Sequence, residues 1–361
     1  MLRRGHAMRK PPISRRDFLS RTIWTAAGSM TVGIAASANE TAPQHSASST
    51  PKAAENRSYP IPRRPLGKTG AMVSILCLGG YHIGNPSLTD DEAVSMMRRA
   101  IDAGVNFFDN AWKYHNGRSE ERMGRALKDG YRDKVFLMTK VVGRDRQSAQ
   151  QQLEDCLRRL DVDTIDLLQV HEVVRPSDVT DVYDNGVLDV FLKARDEGKI
   201  RHIGVTGHNY PLFLNQMLER GFPFETIQVP LNAFDYHYRS FERETLPEAL
   251  KRGIGVIAMK TMGGTPAALP RTGAITPAEC LRYAMSLPVS SVCSGMDRPE
   301  WLEQNLEVAR NFTPMTLEER EALLARTKPF AETGRHETYK TAWHRDVQEQ
   351  MERSAQRQAT G

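Results

Sequence analysis

The chain is expected to fold as a (β/α)8 barrel, and three observations lead there. Eight short apolar runs, each followed by an amphipathic segment, occupy about 250 residues, the number and size such a barrel needs. No G-x-G-x-x-G motif follows an early run, which counts against a doubly wound nucleotide-binding sheet. Three consecutive runs end in chemistry-bearing residues: Asp109 with Tyr114, then Lys140, then His171. A parallel barrel gathers the carboxyl ends of its strands at one face, so these residues should meet.

The elements follow in order. Arg63 to Gly70, with the turn Leu66-Gly67-Lys68-Thr69-Gly70, predicts a hairpin plugging the barrel bottom. The first strand is expected over Val73 to Leu78. Helix 90–103 follows, opened by the cap signal Thr89-Asp90. Strand 105–108 leads to helix 119–129, with Ser119 as candidate cap. Strand 135–139 leads to helix 147–160, and strand 165–170 to helix 187–197. The second half reads strand 202–206 and helix 211–220, strand 226–231 and helix 242–251, strand 254–259 and helix 277–287, strand 289–293 and helix 299–310. A further helix, 316–327, lies beyond. The barrel is expected over 63–330 and a C-terminal tail over 331–361.

Composition places the charge outside the barrel. Residues 1–38 carry seven Lys/Arg and one acid, Asp17, so this leader is +6 while the whole chain is +5. The remainder is close to neutral and shows no nucleic-acid footprint. The leader runs Ser14-Arg15-Arg16-Asp17-Phe18-Leu19, then a small-residue apolar stretch from Thr22, then Ala36-Ser37-Ala38. Basic region, apolar region and small-x-small site, in that order, describe an export signal. The twin arginines resemble the twin-arginine (Tat) class, which implies the Tat translocase as a partner and a periplasmic destination. A membrane anchor behind a fortuitous Arg-Arg is the rival. No other run approaches the ~20 apolar residues of a membrane span, so no stable span is expected after cleavage. Residues 39–62 read as a disordered linker rich in small polar residues and proline. Cys77, Cys156, Cys280 and Cys293 have no metal-ligand spacing, and no metal is expected. Cys77 and Cys293 each precede a glycine by two positions on strands that would be neighbours. A disulfide between them is a minor hypothesis beside four buried thiols.

Taken singly, the polar residues have ordinary explanations. Asp109 could cap a loop, Tyr114 could be a core aromatic, Lys140 a surface ion pair, and His171 a structural histidine. Together they can move a proton to or from a carbonyl oxygen. A phenol with a pKa of about 10 is a weak acid at neutral pH. An ammonium beside it stabilises the phenolate, so Lys140 is expected to lower the Tyr114 pKa, with Asp109 holding Lys140. His171 would orient the carbonyl and stabilise developing charge. Trp112 and His115 flank the site, as pocket walls or as packing. Glu172 is expected to point away, because strand neighbours face opposite sides.

These motifs resemble the aldo-keto reductase family from about Arg63 to Thr327. The matching segments are Asp109-Asn110-Ala111-Trp112-Lys113-Tyr114, Gly117-Arg118-Ser119-Glu120-Glu121, Met138-Thr139-Lys140 and Leu168-Gln169-Val170-His171. The resemblance implies an Asp-Tyr-Lys-His tetrad and NADP(H) bound across the barrel top, with NAD(H) as the alternative. It also implies cofactor contacts. Thr206-Gly207, with His208 next, stands where the family has Ser-Asn against the nicotinamide carboxamide. Gln228 matches its carboxamide-binding glutamine, and Met259 falls where many members stack a tyrosine. Gly295, Arg298, Gln304 and Asn305 match the adenosine-phosphate region, where Asp297 would oppose a phosphate.

The implied function is reduction of a small carbonyl, sugar-like or otherwise, to an alcohol, the hydride coming from a nicotinamide because no side chain provides one. Two alternatives come from other classes. One is a barrel lyase or aldolase with Lys140 as Schiff-base nucleophile. The other is a nicotinamide-binding sensor without turnover. Fold alone does not choose among them.

Overall fold

The computed structural model describes residues 60–264 and 266–341. The expected export leader, most of the linker and the tail beyond residue 341 lie outside the described residues.

Strands β1 (Arg63–Pro65) and β2 (Met72–Ser74) form the antiparallel hairpin, Arg63 opposite Ser74. The barrel strands are β3 (Leu76–Gly79), β4 (Phe107–Asp109), β5 (Phe136–Val141), β6 (Ile165–Val173), β7 (Ile200–Gly207), β8 (Thr226–Pro230), β9 (Gly255–Met259) and β10 (Ser291–Gly295). They close in the order β10-β3-β4-β5-β6-β7-β8-β9, every pair parallel. This is the expected (β/α)8 barrel.

The run expected as one strand, Val73 to Leu78, is divided at Ile75. Ser74 belongs to the hairpin, where its amide donates to Asn106 Oδ1, and the Ile75 amide donates to Pro62 O. The barrel begins at Leu76. Ile61, just before the hairpin, is buried in the core. The hairpin turn seals the bottom at Gly67, whose φ is +54° and whose Cβ would lie 2.2 Å from Gly255 N at the start of β9. Only glycine permits that contact.

Helices cover the outside, several opened by reciprocal Thr/Glu capping boxes: Thr89 with Glu92, Thr276 with Glu279, Thr316 with Glu319. The helix expected over 242–251 is two short ones, Phe241–Glu244 and Leu246–Arg252. Pro247 lacks the amide that would continue the first into the second. A helix not anticipated, Pro176–Asp184, fills the loop after β6. Another, Thr338–Thr341, lies in the tail.

The barrel interior explains how the site is positioned. Leu66, Val73, Cys77, Phe107, Met138, Leu167 and Ile257 form a fully buried inner cluster. Side chains alternate along a strand, so residues two further on face inward one layer higher. Asp109 stands two beyond Phe107, Lys140 two beyond Met138, and Met259 two beyond Ile257. The apolar layer is the floor on which the polar residues stand.

Candidate active site

Lys140, near the end of β5, is 1% exposed. Its Nζ donates to Asp109 Oδ1, to Asn110 O at 2.7 Å and to the Tyr114 hydroxyl at 3.5 Å. One buried ammonium therefore joins the carboxylate to the phenol. Tyr114 opens a single 3-10 turn, Tyr114–Gly117, in which His115, Asn116 and Gly117 have φ of 49°, 56° and 92°. This left-handed run returns the chain to the helix Arg118–Ala126 and leaves the phenol over the mouth. Its ring meets Tyr81 edge-on at 5.3 Å and His171 at 5.8 Å. Trp112 donates its indole N–H to Asp155 and His115 bonds Tyr81 O, so both are tied to the walls.

The end of β6 departs from expectation. Its register against β7 shifts between Val170 and Val173, and Glu172 has a φ of +57°. Such a bulge breaks the inside–outside alternation. Glu172 therefore does not point away: its carboxylate meets Lys113 Nζ at 2.6 Å. Ligand atoms of His171, Glu172 and His208 lie within 4.8 Å of one another. The bulge is held by Arg144, which donates to His171 O at 2.7 Å and Glu172 O at 2.8 Å. The Glu172 amide donates to Thr206 Oγ1 at 2.8 Å. A left-handed non-glycine residue costs about 1–3 kcal/mol, which these bonds offset.

Burial sets the protonation states. It raises the Tyr114 pKa well above the ordinary phenol value, reinforced by the charge on Asp109. The expected net lowering by Lys140 is not seen, because burial and the Asp109 charge outweigh it. Burial, then Lys140, pushes His171 well below the usual imidazole range, and burial with Lys260 does the same to His208. Both rings are neutral at pH 7. All four cysteines are free thiols. Cys77 and Cys293 are in register on β3 and β10, and Cys293 Sγ donates to Asp109 Oδ2 at 3.2 Å.

The residues assigned to a cofactor by resemblance are only partly brought together. Thr206 and Gln228 are buried and His208 partly so, at the ends of β7 and β8, with Thr206 Oγ1 3.3 Å from His208 Nε2. Met259 closes β9 and is 7% exposed. Gly295 closes β10; a Cβ there would lie 1.8 Å from His82 Nδ1. Asn305 is buried and donates to Ser294 Oγ at 3.0 Å. Gln304, its neighbour on the helix Pro299–Arg310, faces solvent. Arg298 is exposed, its guanidinium 5.2 Å from the Trp301 ring centroid. Asp297 Oδ2 accepts from Asn85. His171 Nδ1 and Gln228 Oε1 are buried without partners, as is Asp297 Oδ1. Buried polar atoms are rarely left unpaired without reason. An amide donor from a nicotinamide fits Gln228 Oε1. The sequence gives no role here to Lys113, inside the Asp109–Tyr114 segment, or to Lys260, after Met259. It turns Glu172 the wrong way and connects Cys293 with Cys77, where the structure puts Glu172 on Lys113 and Cys293 on Asp109.

Comparison with known proteins is consistent with this geometry. The model of the Aldo/keto reductase family matches residues 75–271. The Aldo-keto reductase AFTS1 of Alternaria alternata is 29% identical over 252 residues, 57% of this chain and 66% of that protein. The Aldo-keto reductase YhdN of Bacillus subtilis is 33% identical over 198 residues, 51% of this chain and 57% of that protein. This chain thus spans about two thirds or less of those two relatives. The L-galactose dehydrogenase of Arabidopsis thaliana is 27% identical over 310 residues, 74% of this chain and 96% of that protein. Among solved structures, the holo form of aldo-keto reductase AKR11C1 from Bacillus halodurans superposes with a TM-score of 0.61 at 24% identity, covering 74% of this chain and 96% of that one. An aldo/keto reductase from Klebsiella pneumoniae in complex with NADP and acetate gives 0.58 at 24%, covering 73% and 94%. At that identity the structural likeness is one of fold.

Proposed function

The chain belongs to the aldo/keto reductase family, and from that premise we propose that it is an NADP(H)-dependent oxidoreductase reducing an aldehyde or ketone to an alcohol, with Tyr114 as general acid. The observation that carries the reading is Lys140 Nζ shared between Asp109, Asn110 O and the Tyr114 hydroxyl. The NADP bound to the Klebsiella relative supports the cofactor, as do the unpaired Gln228 Oε1 and the buried Met259 at the mouth.

A bound nicotinamide supplies the hydride for the carbonyl carbon. Tyr114, kept protonated by burial, gives its proton to the carbonyl oxygen. Neutral His171, its ring 5.8 Å from that of Tyr114, donates a hydrogen bond to the same oxygen and opposes charge build-up there. Lys140 stabilises the phenolate left behind, and Asp109 fixes Lys140. Gln228, Thr206 and His208 would hold the carboxamide, and Met259 would pack against the ring. A Schiff-base role for Lys140 would require it to abandon three hydrogen-bond acceptors, one a carboxylate. Borohydride trapping of substrate on Lys140 would reveal that chemistry.

The leader supports a further proposal, that the protein is exported through the Tat translocase to a periplasm. The test of function is oxidation of NADPH and NADH against sugars, aldehydes and ketones. Turnover with at least one carbonyl, abolished in Tyr114→Phe, is expected. Tight nucleotide binding without turnover against any of them would favour the sensor instead.

A further inference from the structure

Around the tetrad one cation has no ion-pair partner among the described residues. Asp109 is paired with Lys140, and Glu172 with Lys113. Burial keeps His171 and His208 neutral as bases and Tyr114 neutral as an acid, and the Cys77 hydrogen bond together with burial does the same for Cys293. Lys260 remains. It follows Met259 at the end of β9, with φ +53°, a left-handed conformation unusual for lysine. Asn232 Nδ2 donates to its carbonyl at 3.2 Å. Tyr339, from the tail helix Thr338–Thr341, brings its ring centroid within 5.2 Å of Lys260 Nζ. Among the described residues no carboxylate forms an ion pair with it. Desolvation disfavours its charged form, and Lys140 and Lys113 add to that, while Glu172 opposes them.

A lysine held in a partly closed mouth without an ion-pair partner is a ready receptor for an anion. We propose that Lys260 anchors an oxyanion, a carboxylate or a phosphate, carried by a molecule that binds over the tetrad. The lone-pair donors His171, Glu172 and His208 could suggest a divalent cation instead. The charge opposes it: Lys113 occupies Glu172, and Lys140 and Lys260 repel a dication. The oxyanion has two chemical sources, an acidic group on the carbonyl substrate or the pyrophosphate of the dinucleotide. The choice between them rests on the reductase reading; the anion site itself does not.

The test separates these. Inorganic pyrophosphate and oxalate are titrated by calorimetry into the wild type, Lys260→Met and Lys260→Arg, with no turnover required. The wild type should bind at least one of them. Lys260→Met should weaken it about tenfold or more, the scale of one hydrogen bond to a charged group, and Lys260→Arg should retain most of the affinity. Direct titration with NADPH and NADH, and the ratio of kcat/KM for a keto acid to that for an uncharged ketone, then assign the source. A parallel loss for both nucleotides points to the pyrophosphate. A tenfold fall in the acid-to-neutral ratio points to the substrate. The idea is overturned if Lys260→Met keeps the wild-type Tm while anion affinity, nucleotide affinity and selectivity all stay unchanged. A wild type that binds the anions but reduces nothing would sink the reductase reading and leave the anion site standing.

Discussion

Cys293 Sγ lies 3.2 Å from Asp109 Oδ2, so the thiol that closes the barrel on β10 donates to the carboxylate that holds Lys140. A cysteine on the last strand is thereby joined to the head of the Asp109–Lys140–Tyr114 chain of hydrogen bonds. Cys293→Ala leaves that carboxylate oxygen short of a donor inside the barrel. The expected cost is about tenfold in kcat/KM, the scale of one hydrogen bond to a charged group. Cys293→Ser restores a donor and should stay within about threefold. Wild-type rates in the alanine variant would show that the contact does not matter. Denatured, unreduced protein should titrate as four thiols.

Tyr114→Phe removes the proposed acid and keeps the ring. Nucleotide affinity should hold while carbonyl reduction falls at least about a hundredfold. Burial raises the Tyr114 pKa above its ordinary value of 10.0, which sets the pH dependence. Reduction needs the phenol, so its rate should be flat through neutral pH and fall only as pH rises through that elevated pKa. Alcohol oxidation needs the phenolate and should climb over the same range. A fall in the reduction rate beginning near pH 7 would mean that Lys140, and not burial, governs the phenol in the working enzyme.

Lys140→Met and Asp109→Asn act on one chain of contacts. Each should lower the reduction rate, and the double variant should fall well short of the product of the two losses, because the second change removes nothing still in use. Multiplying losses would uncouple the two residues.

The fold was legible because it depends on periodicity alone. Eight apolar runs and their amphipathic partners name the barrel, and alternation from Phe107 and Met138 already aims Asp109 and Lys140 inward. What was hidden depends on breaks in periodicity. Glu172 reaches the mouth only because β6 bulges, and no side-chain pattern announces a left-handed residue there. The division of the first strand at Ile75 follows from the side chain of Asn106, a contact 32 residues away in the chain. Lys260 is in plain view after Met259, but its lack of an ion-pair partner appears only once Lys140 is seen on Asp109 and Lys113 on Glu172. Cys293 is hidden likewise, because its partner sits on another strand.

Export and cofactor make a linked prediction. A periplasm is not expected to supply free NADPH, and the Tat route carries folded proteins. We therefore expect nucleotide to be bound in the cytoplasm and carried out. Arg15→Lys with Arg16→Lys should leave active protein inside the cell, while the wild type is cleaved after Ala38. Wild type from the periplasmic fraction, once denatured, should release nicotinamide nucleotide. Folded, cleaved protein that is consistently nucleotide-free would overturn the idea.

The tail is latched by charge. Lys340, fully buried, donates to Asp235 Oδ1 at 2.6 Å and to Tyr238 O at 2.8 Å, with Glu337 at 3.2 Å. Two carboxylates share one ammonium, and burial pushes Asp235 up to about 7 against Lys340. A carboxyl whose folded pKa exceeds its unfolded value of about 3.9 adds stability at low pH and loses it as pH rises through the folded value. Lys340→Ala strands Asp235 and Glu337 without a counter-ion. Removing one partner of a buried pair costs about 3–5 kcal/mol when the other stays charged. At pH 5 Asp235 can take a proton and escape much of that penalty; at pH 8 it cannot do so as cheaply. The Tm deficit of Lys340→Ala should therefore be clearly larger at pH 8 than at pH 5, and Asp235→Asn in the same background should recover part of the difference. An equal deficit at both pH values would mean that the latch holds by packing and hydrogen bonds, with the charge playing no part.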